Sequence, residues 1–137
     1  MESKQRLRIM LDFTSNLTNL SKCCKRSVAA ILTDRDLSQV YSIGINGGPR
    51  KGKQCLCHTE GRYGCIHAEI NCLIKCQQPT EGMTMLVTLS PCIQCASAII
   101  NAGVTRVIYL EEWKDLQGLA LLRQAGVTVF SGGITND

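Results

Sequence analysis

A cysteine pair at positions 92 and 95, directly after Pro91, and a histidine at 67 followed by Glu69 constrain this chain more than any other feature. Each group stands where a helical apolar pattern begins, in "HAEINCLIKCQ" (67–77) and in "PCIQCASAIINAG" (91–103). An i, i+3 spacing at a helix start puts both sulfurs on one side, close enough to share an ion. The partial positive charge of a helix N-terminus favours thiolates there. Two thiolates and a neutral imidazole suit zinc, and three protein ligands leave the fourth position open, as catalytic zinc sites do. Zinc lowers the pKa of a water it binds from about 16 towards 7, and a carboxylate beside such a water can take its proton and pass it on. Each part has a plainer reading. A C-x-x-C pair is often structural or redox-active, a single histidine is often packed or solvated, and a single glutamate is often a surface helix charge. Their combination in this order favours the catalytic reading.

The fold follows from the periodicity. Residues 4–20 place Leu7, Met10, Leu11, Leu17 and Leu20 at roughly helical spacing, which predicts an amphipathic first helix. "SVAAILT" (27–33) and "QVYSIGI" (39–45) read as two strands, antiparallel because the connection is short. Residues 46–65 are rich in glycine and polar side chains, and a loop this long is usually functional or held by something. Beyond the helix that opens at His67, strands are expected at 83–89, 105–110 and 127–130. Helices are expected at 91–103, where Pro91 suits the first turn and Gly103 the end, and at 116–126, which ends at Gly126. Strand–helix alternation in this half predicts parallel neighbours and an α/β sandwich with helices on both faces. Cys72 and Cys76 lie i, i+4 on their helix and read as core.

Composition narrows the class. A length of 137 residues suits a single domain spanning 1–137, with 45% hydrophobic and 19% charged residues. The charged start "MESKQRLRIM" has no long apolar run, so neither a signal peptide nor a membrane span is expected, and a cytoplasmic location is the default. In that compartment nine cysteines read as metal ligands or buried thiols, and an odd number rules out complete pairing within one chain. The charge of +4 fits an anionic small molecule as well as nucleic acid, and no dense Lys/Arg run favours the second.

The strings "HAEIN" and "TLSPCIQCA", supported by "SKCCKRSVAAIL" and by "GINGGP" after the second strand, resemble the cytidine deaminase superfamily and, within it, the deoxycytidylate deaminases. The likeness runs from about residue 21 to 130, and the short form resembles phage or bacterial members, the former acting in a host cytoplasm. It implies a three-layer α/β/α sandwich around a mixed five-stranded sheet, commonly in a homohexamer. It implies hydrolysis of dCMP to dUMP, a deoxynucleotide substrate and a place in pyrimidine nucleotide biosynthesis.

Carried over by position, the resemblance makes His67, Cys92 and Cys95 the Zn2+ ligands and Glu69 the catalytic proton shuttle. Asn46 matches an asparagine near the nucleotide sugar, where an amide can both donate to and accept from a hydroxyl; Asn-Gly is also a common turn pair. Ser21 and Arg26 stand where such proteins contact the phosphate, although an exposed arginine is often only solvated. Ser90 joins the substrate set, and Tyr109 either lines the base pocket or packs in the core. Regulation by dCTP with Mg2+ as activator and dTTP as inhibitor is implied near Asn46, Gly47, Gly48, Arg50 and Lys51; backbone amides and charge there suit a triphosphate, as they suit an ordinary polar loop. Ile45 in place of the usual aromatic, and Trp113 in place of a tyrosine, depart from that pattern.

Similar deaminases also carry a second, structural zinc, for which Cys23, Cys55, Cys57 and Cys65 are the candidates, with His58 or Cys24 able to replace one of them. A metal tie would order the long polar loop; the same thiols are equally at home as small buried hydrophobes. Three other functions compete. Deamination of a base in tRNA calls for stacking aromatics, yet aromatics are 4% and Gln94 stands where tRNA deaminases carry methionine. A zinc-binding regulatory module would have no use for Glu69. Deamination of free cytidine or cytosine fits less well with the Gly-x-Asn-Gly turn and the extra cysteines.

Overall fold

The computed structural model describes residues 3–49, 55, 57 and 64–133. Its elements are α1 (Ser3–Leu17), a 3-10 turn (Thr18–Leu20), β1 (Ala29–Thr33), β2 (Val40–Ile45), α2 (Ala68–Lys75), β3 (Thr84–Leu89), α3 (Ile93–Asn101), β4 (Arg106–Glu111), α4 (Gln117–Gln124) and β5 (Thr128–Ser131). The five strands form one mixed sheet in the order β2-β1-β3-β4-β5. β1 is antiparallel to both β2 and β3, while β3, β4 and β5 run parallel, as the alternation of the second half requires.

Strand alternation assigns the two faces. Ile31, Leu86 and Ile108 point to one side, where Leu11 of α1 meets them with Leu7 and Met10 at its margin. Ala30, Leu32, Met85, Val87 and Val107 point to the other, against Ala68 and Cys72 of α2, Ala96 and Ile99 of α3, and Leu119 and Leu122 of α4. The result is the three-layer α/β/α sandwich expected from the sequence, with one helix on one face and three on the other among the described residues. Cys72 is fully buried, whereas Cys76 caps α2 and is half-buried at the core's edge.

Helix ends follow local chemistry. Gly103 and Gly126, just past the C-caps of α3 and α4, take φ of 83° and 89°, which only glycine adopts without cost. The start of α3 differs from the sequence expectation. Pro91 lies outside the first turn because Cys92 is the N-cap, its sulfur accepting from the Cys95 N–H at 3.5 Å.

α2 is clamped to the edge strand. Ser42 Oγ donates to the Cys72 carbonyl at 2.7 Å, and Asn71 Nδ2 donates to the Ile45 carbonyl at 2.9 Å. Gly44 lets the helix come this close, because a Cβ there would overlap the Ala68 carbonyl oxygen and the Cys72 backbone. Since β-strand and helix backbones cannot yield as a flexible side chain would, Gly44→Ala is expected to cost about 3 kcal/mol, the upper end for overpacking. Gly47→Ala, whose Cβ would meet nothing within 4 Å, serves as the near-neutral control. Equilibrium denaturant unfolding of the two variants checks this.

Candidate active site

The C-terminal end of β3 and the N-termini of α2 and α3 meet at one place. His67 is the N-cap of α2 in extended conformation, and Cys92 is the N-cap of α3 with Cys95 in its first turn. His67 Nδ1 lies 3.2 Å from Cys95 Sγ and 3.6 Å from Cys92 Sγ. All three donor atoms are within 4.8 Å of one another. Around a tetrahedral zinc with its usual bond lengths, a nitrogen and a sulfur stand about 3.6 Å apart, so the spacing fits that ion.

The electrostatics make the same point. Cys92 is held as a thiolate, its pKa lowered to about 3 by hydrogen bonds from Cys95 and His67. Cys95 is pushed up by its hydrogen bond to Cys92 and keeps its proton, while His67 is pushed up by its own bond to Cys92. The three donors meet at two positive helix ends, where a metal ion could take the place of their protons.

Glu69, in the first turn of α2, is 4% exposed, and burial pushes its carboxyl up to about 7. It lines a cavity of about 360 Å³ together with His67 and Cys92, a volume within the range of small-molecule sites. Lys25, Arg26, Asn46, Ser90 and Trp113 complete much of the wall.

The sequence-predicted residues divide here. Arg26 reaches the cavity and pairs with Glu111 at 2.7 Å, and Ser90 lines it while accepting from the Trp113 N–H at 2.8 Å. Asn46 lines the cavity too, but Oδ1 already accepts from Ser21 Oγ at 2.6 Å and from the Val28 N–H at 3.0 Å, and Nδ2 donates to the Arg26 carbonyl at 2.6 Å. Both oxygen lone pairs are committed, so the amide offers further partners a hydrogen and no acceptor. Ser21 is not among the lining residues; its hydroxyl holds Asn46 and accepts from the Cys23 N–H at 3.2 Å. Tyr109 is likewise not in the wall, lying 5% exposed in the core with its hydroxyl donating to Glu112 at 3.2 Å.

Of the residues read as an effector site, Gly47 spends both backbone polar groups on Ile66, its N–H donating at 3.1 Å and its carbonyl accepting at 2.7 Å. That correction removes its amide from triphosphate binding. Gly48 is half-buried, and Arg50, Lys51 and His58 fall outside the described residues. Trp113, which in the sequence marks only a departure from the effector pattern, lines the cavity. The signal for it was a single tryptophan in an aromatic-poor chain, placed just after a strand.

A second cluster adjoins the first. The sulfurs of Cys23, Cys55, Cys57 and Cys65 lie 3.5 to 4.0 Å apart in the pairs Cys23–Cys57, Cys55–Cys23, Cys57–Cys65 and Cys65–Cys55. Zinc–thiolate bonds of about 2.3 Å put tetrahedral sulfurs about 3.8 Å apart, so these four also fit zinc. Cys55 is lowered to about 5, chiefly by the Cys24 N–H it accepts. Cys23, Cys57 and Cys65 are also walls of the 360 Å³ cavity.

With the geometry in hand, comparison with known proteins gives a family. Residues 3–111 match the family model described as the cytidine and deoxycytidylate deaminase zinc-binding region. The chain is 36% identical over 123 residues to ComE operon protein 2 of Bacillus subtilis (strain 168), covering 84% of this chain and 65% of that protein. It is 42% identical over 71 residues to the deoxycytidylate deaminase of Enterobacteria phage T2, covering 48% of this chain and 38% of the phage enzyme. The match therefore spans less than two thirds of either relative's length. The dCMP deaminase of cyanophage S-TIM5, solved in complex with dCMP and dUMP, superposes with a TM-score of 0.82 at 28% identity, covering 90% of this chain and 94% of that one.

Asn46 generates a stability prediction. Asn46→Ala leaves the half-buried Val28 N–H and the Arg26 carbonyl without their partner; a fully buried orphan costs about 1–3 kcal/mol and access to water lowers that, so a loss of about 1–3 kcal/mol is expected for the pair. Denaturant unfolding of the variant reads it, and a loss within 0.5 kcal/mol, about that of an ordinary surface change, would refute it.

Proposed function

The chain belongs to the zinc-binding cytidine and deoxycytidylate deaminases, and we propose on that premise that it hydrolyses dCMP and water to dUMP and ammonia. The observation that carries the reading is Glu69, a buried carboxyl beside three atoms that could hold a metal, in a cavity whose wall includes Lys25 and Arg26. The likeness to the cyanophage enzyme solved with dCMP and dUMP supports the monophosphate as substrate.

His67, Cys92 and Cys95 would hold the zinc. Bound there, zinc supplies a Lewis acid that brings the pKa of water towards neutrality. Glu69 takes one proton from water and delivers it to the ring nitrogen N3 of the base, then passes the second proton of that water, from the hydroxyl added at C4, to the amino group that leaves as ammonia. A carboxyl balanced near 7 holds and releases protons with equal ease at neutral pH. Arg26 meets the phosphate with its planar guanidinium, steered by Glu111, while Lys25 adds charge. Trp113 offers a flat wall to the pyrimidine, Ser90 fixes the Trp113 backbone, and Asn46 donates towards the sugar.

The proposal extends to a structural zinc on Cys23, Cys55, Cys57 and Cys65, whose four thiols would close the coordination shell. It includes activation by dCTP with Mg2+ and inhibition by dTTP. Gly48, Arg50 and Lys51, which follow β2 in the sequence, would meet the effector. It places a single-domain chain in the cytoplasm, assembled as a homo-oligomer, with a hexamer favoured by the resemblance. Among the described residues no helix is long and apolar enough to cross a membrane.

Ammonia release from dCMP should far exceed that from cytidine or tRNA, rise with dCTP and Mg2+, and fall with dTTP. An equal rate on cytidine would remove the phosphate from recognition, and a flat response to both effectors would remove regulation. Glu69→Gln should keep its zinc and lose about 10²–10⁴-fold in kcat; unchanged turnover would strip Glu69 of its role. Metal analysis should find two zinc ions per chain, with Cys95→Ser and Cys57→Ser each losing one from its own cluster. A single zinc in the unaltered protein would sink the structural site.

A further inference from the structure

A fifth sulfur stands against the four-thiol cluster. Cys24 Sγ lies 3.0 Å from Cys55 Sγ, closer than the 3.5 to 4.0 Å of the four cluster pairs given above. Yet Cys24 does not belong to the set of four mutually close donors. It is exposed, whereas Cys57 is buried and Cys23, Cys55 and Cys65 are half-buried. The Cys24 backbone is tied to the same partner, its N–H donating to Cys55 Sγ at 3.4 Å, and the Cys57 N–H donates there at 3.4 Å as well. The two sulfurs need to close by only about 1 Å to reach bonding distance. Zinc has no redox chemistry of its own, so any oxidation at such a centre falls on its sulfurs.

We infer that Cys24 and Cys55 form an oxidation site, at which a hydroperoxide drives a disulfide that expels the metal from the four-thiol cluster. This rests on the structural-zinc reading above. The Cys24 sulfur attacks the peroxide; the O–O bond breaks, a sulfenic acid forms, and hydrogen peroxide leaves its other oxygen as water. The Cys55 sulfur then attacks the Cys24 sulfur. The S–S bond forms, the S–O bond breaks, and hydroxide leaves and takes up a proton as a second water. The two cysteines lose two electrons, which the peroxide gains. The ion loses one of four ligands, and a three-thiol remnant holds zinc less tightly. Exposure directs the chemistry, since Cys24 meets the oxidant before any ligand does.

The consequence reaches the cavity, because Cys23, Cys57 and Cys65 form part of its wall. Oxidation would loosen that wall without touching His67, Cys92, Cys95 or Glu69, and a thiol reductant with added zinc would restore it.

The test uses the full chain, purified under reducing conditions, with the reductant removed before hydrogen peroxide is added alongside a chromogenic zinc chelator. One of two zinc ions should be released, and non-reducing peptide mass spectrometry should find a Cys24–Cys55 link. Cys24→Ser and Cys24→Ala should keep both ions and full turnover, form no such link, and release zinc about tenfold more slowly or less. Equal release rates in variant and parent, or a link between other cysteines, overturns the inference alone. Loss of one zinc from the untreated Cys24 variants makes Cys24 a ligand and also overturns it. A parent holding one zinc before peroxide is added overturns the structural-zinc reading and this inference together.

Discussion

Three donor atoms crowded at two helix N-termini are the constraint on which the site depends. His67, Cys92 and Cys95 come from segments separated in sequence, so the sheet must set the distance between them. α2 is fixed to β2 by Ser42, Asn71 and the close approach at Gly44, while α3 is launched from the end of β3. β1 lies between those two strands, with Ala30 opposite both Gly44 and Val87. Its double antiparallel register therefore fixes the span between the histidine and the cysteines. A slip of one residue on either side would turn every side chain to the opposite face and part the donors.

The two clusters that could hold a metal ion are one construction. Cys65 and His67 are separated only by Ile66, whose backbone is paired with Gly47 on both sides of the bridge. In extended chain, residues two apart face the same way, and both Cys65 and His67 line the cavity. The Gly47–Ile66 bridge thus fixes the last residue of one ligand set and the first of the other. Asn46 is bound into the same unit, holding the backbone at Arg26 and Val28, while Ser21 ties it to Cys23. Removing order from the four-thiol side would be felt by the other residues that line the cavity.

Much of this was legible in the chain. The elements follow from periodicity, and the Cys92–Cys95 pair from its spacing, because both depend on near neighbours; that His67 joins that pair is what the resemblance implies and the fold brings within reach. The parallel half was readable from strand–helix alternation, and the helix ends from Gly103 and Gly126. The roles of single polar residues were less readable. An asparagine after a strand carries the same signal whether its amide faces a ligand or its own backbone, and only the fold brings Val28, Arg26 and Ser21 onto Asn46.

Two of the aromatics after β3, Tyr109 and Trp113, show why the limit is physical. β4 alternates, so Tyr109 shares a face with Val107, and that face is the one the three helices cover. The pleat thus commits Tyr109 to the core before any ligand is considered. Trp113 lies past the strand's end, where alternation no longer applies, and its direction is set by a hydrogen bond from its backbone to Ser90 across the gap between β4 and β3. The Ser90 N–H in turn donates to the Glu111 carbonyl at 2.8 Å, so the strand ends position each other. A tryptophan reaches the cavity because two non-adjacent segments exchange hydrogen bonds beyond the regular sheet. No local pattern carries that information.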